Sequence, residues 1–228
     1  MRDRQRQSMS QKPGVRSARY IVIEGPIGVG KTSLAALLAP ELDARLIYEQ
    51  AEDNPFLTDF YRDPARYRFQ TQIFFLMSRF SQQEEFCQHD LFNRITISDY
   101  LFAKDRIFAY LNLSEHELAL YEQIYRMIEP KIVRPDLVIF LQADTETILR
   151  RIRQRSRAFE KNMDRDYIES LNEAYGNYFF RYTETPLLVI NTSEIDFVHN
   201  RADLDDLIRQ VLSMREGTRY YVPKSRGR

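Results

Sequence analysis

Short apolar runs alternate along the chain with longer stretches in which apolar residues recur every three or four positions. A run without polar gaps is typical of a strand that is covered on both faces of a parallel sheet, because neither face then meets water. Such runs lie at residues 20–24, 46–48, 94–98, 136–141 and 187–190. Helical patterns lie at residues 31–42, 66–86, 114–129, 145–155, 164–182 and 204–212. This order predicts an α/β fold with a five-stranded parallel sheet and helices on both of its faces.

The distribution of charge separates one central domain from two tails. Residues 1–19 are rich in Arg and nearly free of apolar side chains, and residues 214–228 are also basic and polar. Such stretches bury too little apolar surface to fold, so we predict flexible basic tails around a single domain at residues 20–213. A mitochondrial transit peptide is an alternative for the first tail, although it has too few apolar residues for an amphipathic helix.

Composition narrows the class of protein without identifying an activity. The 228 residues include 33 Lys and Arg, 33 Asp and Glu, and one cysteine. A net charge of zero creates no overall attraction to nucleic acid or to anionic membranes, and one cysteine excludes an internal disulfide framework. No apolar run approaches the ~20 residues that span a bilayer. We therefore expect a soluble, cytoplasmic protein that binds neither nucleic acid nor membranes.

The most specific motif directly follows the first predicted strand. The sequence GPIGVGKT, from Gly25 to Thr32, matches the phosphate-binding pattern G-x-x-x-x-G-K-[ST] between a strand and a helix. Glycines such as Gly28 and Gly30 let backbone N–H groups turn inward around phosphate oxygens. We expect Lys31 to reach the β- and γ-phosphates of ATP and Thr32 to contribute its hydroxyl to a Mg²⁺ shell. The alternative is a glycine-rich turn that binds nothing.

Two acids flank this loop in the predicted sheet. Glu49 ends the second strand and Asp99 ends the third, so both lie at the carboxyl edge where open α/β sheets bind ligands. A carboxylate at Glu49 can accept a hydroxyl proton as a general base. Asp99 can hold a Mg²⁺-bound water or make a second polar contact. The alternative for each acid is that it caps the next helix.

A cluster of arginines follows the fourth predicted strand, and it includes Arg151, Arg155 and Arg157. Arginines at this place can form a lid that stabilises the charge of a phosphoryl group in transfer. A solvated basic face or a nucleic-acid patch is the alternative. The base-reading motif of GTPases, [NT]-K-x-D, is missing from the sequence, so acids at strand ends and an arginine lid favour a short P-loop kinase.

With these motifs the chain resembles the deoxyribonucleoside kinases, namely the deoxycytidine/deoxyguanosine kinase group with its bacterial deoxyadenosine and deoxyguanosine kinases. The resemblance covers residues 20–197. It also rests on Tyr48-Glu49-Gln50, Asn54-Pro-Phe-Leu57, Phe69–Phe80, Asp105-Arg106 and Asp196-Phe197.

The resemblance implies a role for each matching residue. Glu49 is implied as the catalytic base, with Lys31, Arg151 and Arg155 acting on the transferred phosphoryl group. The implied ATP site comprises Gly25, Gly28, Gly30, Lys31, Thr32, Arg157, Asp196 and Phe197. The implied nucleoside site comprises Glu49, Tyr61, Gln72, Arg79, Asp99, Asp105 and Glu160, and the implied Mg²⁺ ligands are Thr32 and Asp99. The resemblance further implies a P-loop kinase fold with an Arg-rich lid and a homodimer formed through a helix pair.

Two positions depart from the family pattern. The family commonly has Asp/Glu-Arg-Ser after the third strand, where this chain has Asp99-Tyr100-Leu101. That family arginine helps to orient the catalytic carboxylate, and Arg106 is a candidate replacement. The second departure is Gln50-Ala51, which stands in place of Pro-Val after Glu49.

These observations predict an enzyme that uses ATP to phosphorylate the 5′-hydroxyl of a deoxyribonucleoside in nucleotide salvage. A purine nucleoside, deoxyadenosine or deoxyguanosine, is expected because Asn54–Leu57 resembles bacterial members that take purines. The amide of Gln72 does not by itself choose a base, while Asp105 disfavours thymine because it accepts a proton from an exocyclic amine. The alternatives are a nucleoside-monophosphate kinase and a non-catalytic, nucleotide-binding regulatory protein.

Overall fold

A computed structural model describes residues 20–88, 95–155 and 163–223, and for residues 85–88 it describes the backbone only. Within these ranges the strands form one six-stranded sheet in the order β2-β3-β1-β4-β5-β6, in which every adjacent pair is parallel. The strands are β1 (Tyr20–Glu24), β2 (Arg45–Ile47), β3 (Thr96–Ser98), β4 (Leu137–Gln142), β5 (Leu187–Asn191) and β6 (Thr218–Tyr221). Because all strands run in one direction, their carboxyl ends lie at one edge of the sheet.

Helices connect the strands. They are α1 (Lys31–Leu42), α2 (Leu57–Arg62), α3 (Pro64–Gln88), α4 (Lys104–Asn112), α5 (Glu115–Ile128), α6 (Thr145–Arg155), α7 (Arg165–Phe180) and α8 (Arg201–Ser213). The start of α5 shows why the sequence begins a helix there. The Ser114 N–H donates to Glu117 Oε2 at 2.7 Å, and the Ser114 side chain accepts the backbone N–H of Glu117 in return. This reciprocal cap gives partners to two N–H groups at the end of the helix.

The core has two layers because successive side chains of a strand point to opposite faces of the sheet. From β1, Ile21 and Ile23 pack with Leu34 of α1 on one face. Tyr20 and Val22 point to the other face, where they pack with side chains of α7. All five residues of β1 are buried, as a central strand with both faces covered requires. The prediction of helices on both faces is confirmed.

The prediction of five strands is wrong. The sixth strand, β6, lies within residues 214–228, which we expected to form a polar tail, and Met214 just before it is 2% exposed. An edge strand needs only one partner and stays partly in water, so the sequence Thr-Arg-Tyr-Tyr lacks the apolar run that marked the other strands. The other expected tail, residues 1–19, lies outside the described residues. In the part of the chain that is described, no helix is long and apolar enough to cross a membrane.

The contribution of β6 can be measured by truncation. Deleting residues 218–228 removes the hydrogen bonds between β6 and β5 and the bond that the Tyr221 hydroxyl donates to Asp206. We expect a loss of about 2 kcal/mol or more in the free energy of unfolding, or ~4–8 °C in Tm. A chain that lacks only residues 223–228 is the matched control. Equal Tm values for the two truncated chains would show that β6 does not stabilise the domain.

Candidate active site

The phosphate-binding loop lies tightly against the end of β4 and the first turns of α6. Gly25 and Gly28 have φ values of 151° and 82°, which side chains rarely allow. A Cβ atom at Gly25 would lie 2.4 Å from the carbonyl oxygen of Leu141, and one at Gly28 would lie 2.6 Å from Ile152 Cγ1. Glycine is therefore required at both positions by close packing as well as by conformation.

Lys31 begins α1 and folds back over the loop. Its Nζ donates to the carbonyl oxygens of Gly25 and Pro26 at 2.7 and 3.1 Å. Burial lowers the pKa of Lys31 to about 8, and the like charge of Lys104 adds to this shift against the opposing effect of nearby carboxylates. The buried Lys31 ammonium gains a strong hydrogen-bond partner when a polyphosphate enters the loop.

Glu24, the last residue of β1, supports the loop from below and was not identified from the sequence. It is fully buried and accepts hydrogen bonds from the N–H of Gly25 at 2.8 Å and of Leu101 at 2.6 Å. The hydroxyl of Tyr175 donates a third bond at 3.1 Å. The signal that could have revealed Glu24 is a charged residue at the end of an otherwise apolar central strand, where an unpaired carboxylate would be costly.

Thr32, Asp99 and Glu49 form a chain of contacts across the carboxyl edge. The Thr32 hydroxyl donates to Asp99 Oδ2 at 2.5 Å, and Asp99 Oδ1 accepts the backbone N–H of Glu49 at 2.8 Å. A hydroxyl and a carboxylate oxygen are hard ligands, and Mg²⁺ commonly takes one or two such protein ligands together with phosphate oxygens. Thr32 and Asp99 therefore fit a Mg²⁺ site that a bound nucleotide completes. Among the described residues no group of three or more His, Cys, Asp or Glu side chains could hold a metal by itself.

The Glu49 carboxylate is held between two cations. Arg79 of α3 donates from Nη2 and Nε to Oε1 at 2.5 and 3.0 Å, and Lys104 of α4 donates to Oε2 at 2.6 Å. Burial alone would raise the pKa of Glu49, but Lys104 and then Arg79 lower it well below its usual range. Glu49 is therefore ionised in the folded protein, as a proton acceptor must be.

Gln72 and Arg79 lie on one face of α3 because seven residues make two helical turns. Gln72 Nε2 donates to the backbone oxygen of Asp105 at 2.8 Å, which leaves its Oε1 and one N–H for other partners. The carboxylate of Asp105 is fully buried, where it accepts from Arg79 and, at 2.7 Å, from the hydroxyl of Tyr121. The structure therefore brings together the amide, guanidinium and carboxylate that were predicted to face the nucleobase.

Most of the predicted site residues line one cavity of about 1280 Å³. Its walls include Lys31, Thr32, Glu49, Tyr61, Gln72, Arg79, Asp99, Arg151, Arg155, Asp196 and Phe197, all of them predicted site residues. Asp105 supports this wall from behind through Gln72 and Arg79. The cavity is large enough for a nucleotide and a second small molecule, since drug-sized ligands occupy ~300–1,000 Å³.

The lid arginines differ in position. Arg151 reaches from α6 to backbone oxygens of two loops, Val29 at 3.1 Å and Thr192 at 2.8 Å. It thereby ties the phosphate-binding loop to the loop after β5, which was not expected of a lid residue. Arg155 is exposed at the rim of the cavity. The two remaining predicted lid residues, Arg157 and Glu160, lie outside the described residues.

The loop after β5 packs on the phosphate-binding loop. The Phe197 ring is buried, and its Cζ would lie 3.0 Å from a Cβ atom at Gly30. Asp196 is exposed, and its Oδ1 accepts the backbone N–H groups of Val198 and His199 at 3.2 and 3.1 Å. Phe197 therefore offers an apolar surface beside the loop, while the Asp196 side chain stabilises the turn that carries it.

Known proteins of one family resemble this chain. The family model for deoxynucleoside kinase matches residues 21–215. A deoxyguanosine kinase of Bacillus subtilis (strain 168) is 36% identical over 200 residues, which cover 86% of this chain and 97% of that protein. A deoxyadenosine kinase of Dictyostelium discoideum is 34% identical over 209 residues, covering 88% of this chain and 81% of that protein.

The solved structure of the deoxyadenosine kinase from M. mycoides with bound dATP has the same fold. The two chains match with a TM-score of 0.74 at 24% identity, covering 85% of this chain and 98% of the other. The parallel sheet, the phosphate-binding loop and the helices on both faces define a P-loop kinase fold. Because the family model matches most of its length, the chain belongs to the deoxynucleoside kinase family, enzymes that phosphorylate deoxyribonucleosides.

Glu24 provides a test of how the loop is supported. The substitution Glu24→Ala leaves the N–H groups of Gly25 and Leu101 without their acceptor, and each such group costs about 1–3 kcal/mol. We expect urea denaturation to show a loss of roughly 2–6 kcal/mol, together with weaker ATP binding. Tyr175→Phe, which removes only the third hydrogen bond, is the control and should cost about 1 kcal/mol. Equal stabilities of the two variants would contradict the supporting role of Glu24.

Proposed function

We propose that this enzyme transfers the γ-phosphoryl group of ATP, with Mg²⁺ as cofactor, to the 5′-hydroxyl of a deoxyribonucleoside. The observation that carries the proposal is the position of the ionised Glu49 carboxylate in the same cavity as Lys31 and Thr32 of the phosphate-binding loop. A phosphoryl donor held by the loop and a hydroxyl held by Glu49 would meet inside this cavity. Enclosure of both reactants there reduces transfer of the phosphoryl group to water.

The residues of this chain contribute mainly by positioning and by charge. Glu49 accepts the proton of the 5′-hydroxyl as the oxygen attacks the γ-phosphorus, and the bond to the β,γ-bridging oxygen breaks. Lys31 and the loop N–H groups hold the oxygens on which negative charge collects. Thr32 and Asp99 would hold Mg²⁺, which would neutralise charge on the phosphates. This reaction needs no covalent enzyme intermediate.

The arginines of α6 are proposed to act on the same charge. Arg155 lines the rim of the cavity, which supports a role in binding the γ-phosphoryl group, and we propose the same role for Arg157. For Arg151 we propose a different role. Its guanidinium contacts the backbone oxygens of Val29 and Thr192, and these contacts fix the shape of the loops around the donor. We propose that Phe197 and Asp196 belong to the wall that receives the adenine ring of ATP.

A purine deoxyribonucleoside is the proposed acceptor. Gln72 lines the cavity, and its amide can donate and accept at once, which suits the edge of a base without choosing among bases. Arg79 lies beside it with its charge shared between Glu49 and Asp105. Tyr61 lines the cavity, and we propose that it holds the 3′-hydroxyl of the sugar together with Glu160. The names of the relatives, which include a deoxyguanosine kinase and a deoxyadenosine kinase, support a purine substrate.

Two features of the earlier prediction remain proposals. A homodimer is supported by two large apolar side chains, Tyr110 of α4 and Phe180 of α7, which are exposed on adjacent helices. A cytoplasmic location also stays a prediction. The alternative of a nucleoside-monophosphate kinase is disfavoured because the two arginines of α3 that line the cavity are already paired with carboxylates, Arg68 with Glu117 and Arg79 with Glu49 and Asp105.

Removal of the general base tests the proposed mechanism. Glu49→Gln keeps the shape of the side chain but cannot accept a proton, and loss of a general base commonly costs ~10²–10⁴ in rate. We expect kcat to fall by this factor while ATP binding, measured by calorimetry, persists. The control is Glu169→Gln, an exposed position on α7. Near-normal turnover of Glu49→Gln would remove Glu49 from this role and point to Asp99.

A competition assay tests the acceptor. With the four deoxyribonucleosides present at equal concentration, we expect deoxyadenosine or deoxyguanosine to be phosphorylated fastest, deoxycytidine next and thymidine poorly. Gln72→Ala should reduce kcat/KM by about 10- to 100-fold, because an unpaired polar group of the base costs ~1–3 kcal/mol. Gln82→Ala, on the same helix but outside the cavity, is the matched control. Thymidine as the best substrate would overturn the purine assignment.

A further inference from the structure

Lys104, the first residue of α4, is a buried cation that the sequence motifs did not identify. It is 4% exposed, and its Nζ lies 2.6 Å from Glu49 Oε2 and 5.7 Å from the centre of the Phe108 ring. A buried lysine is costly unless it is paired, so this contact is a specific feature of the site. Lys104 also lines the cavity.

Neither of the two positions considered from the sequence supplies this charge. Tyr100, where the family commonly has an arginine, is 1% exposed and packs in the protein interior. Arg106, the candidate replacement, is directed elsewhere, because its Nε donates to Glu122 at 3.0 Å and its guanidinium lies over the ring of Tyr125 at 5.1 Å. The expectation that Arg106 serves the catalytic carboxylate is therefore wrong.

We propose that Lys104 is the positioning residue of Glu49: its ammonium group fixes Oε2, so that the ionised carboxylate keeps one orientation towards the 5′-hydroxyl. This inference rests on the proposed role of Glu49 as the base. Arg79 secures the other oxygen, Oε1, but shares its charge with Asp105. Among the described residues, the hydrogen-bond acceptor of the Lys104 ammonium is Glu49. The bond from Lys104 is therefore more specific for Glu49 than the bonds from Arg79 are.

The charges around Glu49 agree with this assignment. Burial alone would raise the pKa of Glu49, and the charge of Lys104 makes the largest contribution to lowering it again, ahead of that of Arg79.

The test compares the kcat and KM of Lys104→Met, Lys104→Arg and the wild-type enzyme. In Lys104→Met we expect kcat to fall by about 10- to 100-fold, since misplacement of a reacting group by ~1 Å can cost 10²-fold, with a smaller change in the KM of the nucleoside. Lys104→Arg should restore most of kcat.

Two further variants separate positioning from a structural role. Arg106→Met removes a cation two residues away on the same helix and should leave kcat within about twofold of wild type. The double variant Lys104→Met/Glu49→Gln should be no slower than Glu49→Gln alone, because Lys104 acts through Glu49. If Lys104→Met does not fold, Lys104→Gln replaces it, since an amide fills similar space without charge and should still lower kcat.

Each outcome decides between the proposals. A Lys104→Met enzyme with normal kcat would overturn the role of Lys104 while leaving that of Glu49 intact, provided that Glu49→Gln is inactive. A further loss in the double variant would show that Lys104 acts independently of Glu49, which also overturns the inference. Normal turnover of Glu49→Gln would instead refute the proposed base itself.

Discussion

The need to pair every buried charge determines how the carboxyl edge of the sheet is built. Carboxylates that leave water lose their hydration, and removing one partner of a buried ion pair typically costs about 3–5 kcal/mol. Glu49 and Asp105 share Arg79, Glu49 also binds Lys104, and Glu24 accepts two backbone N–H groups. The first three pairs connect the segment after β2, α3 and α4 in one network, which also contains the proposed base, and Glu24 separately joins β1 to the segment before α4.

The sequence was sufficient to predict those parts of the fold whose pattern is local. Apolar strands such as β4 and the glycine-rich loop carry their signals within a few residues. The strand β6 and the helix α4 lack such a local signal. β6 is a polar edge strand, and α4 is short and ends just before α5, so no separate helical pattern was identified for it. Since α4 was not predicted, the direction of its side chains was unknown, and Lys104 was not considered.

The residues of the candidate site were also only partly predictable from the sequence. Lys31, Thr32, Glu49 and Asp99 follow predictable strand ends, and the structure brings them together within one cavity. The two cations of Glu49 come from helices that are distant in the chain, 30 and 55 residues away. Pairings over such separations depend on tertiary packing, which a single sequence does not show. Arg106 was a reasonable candidate by proximity in sequence, but its position two residues after Lys104 turns it to another face of α4.

Arg79 contacts both the carboxylate proposed to take the proton and the carboxylate that supports the side chains proposed to read the base. If both proposals hold, one guanidinium links the recognition of the acceptor with the chemical step. A substitution that reshapes the base site by moving Asp105 or Gln72 would also shift Arg79, and with it Glu49. Altered base preference in this enzyme would then come with a change in turnover unless a second substitution returned Glu49 to its place. In evolutionary terms, the substrate range of such an enzyme can change only along paths that adjust recognition and rate together.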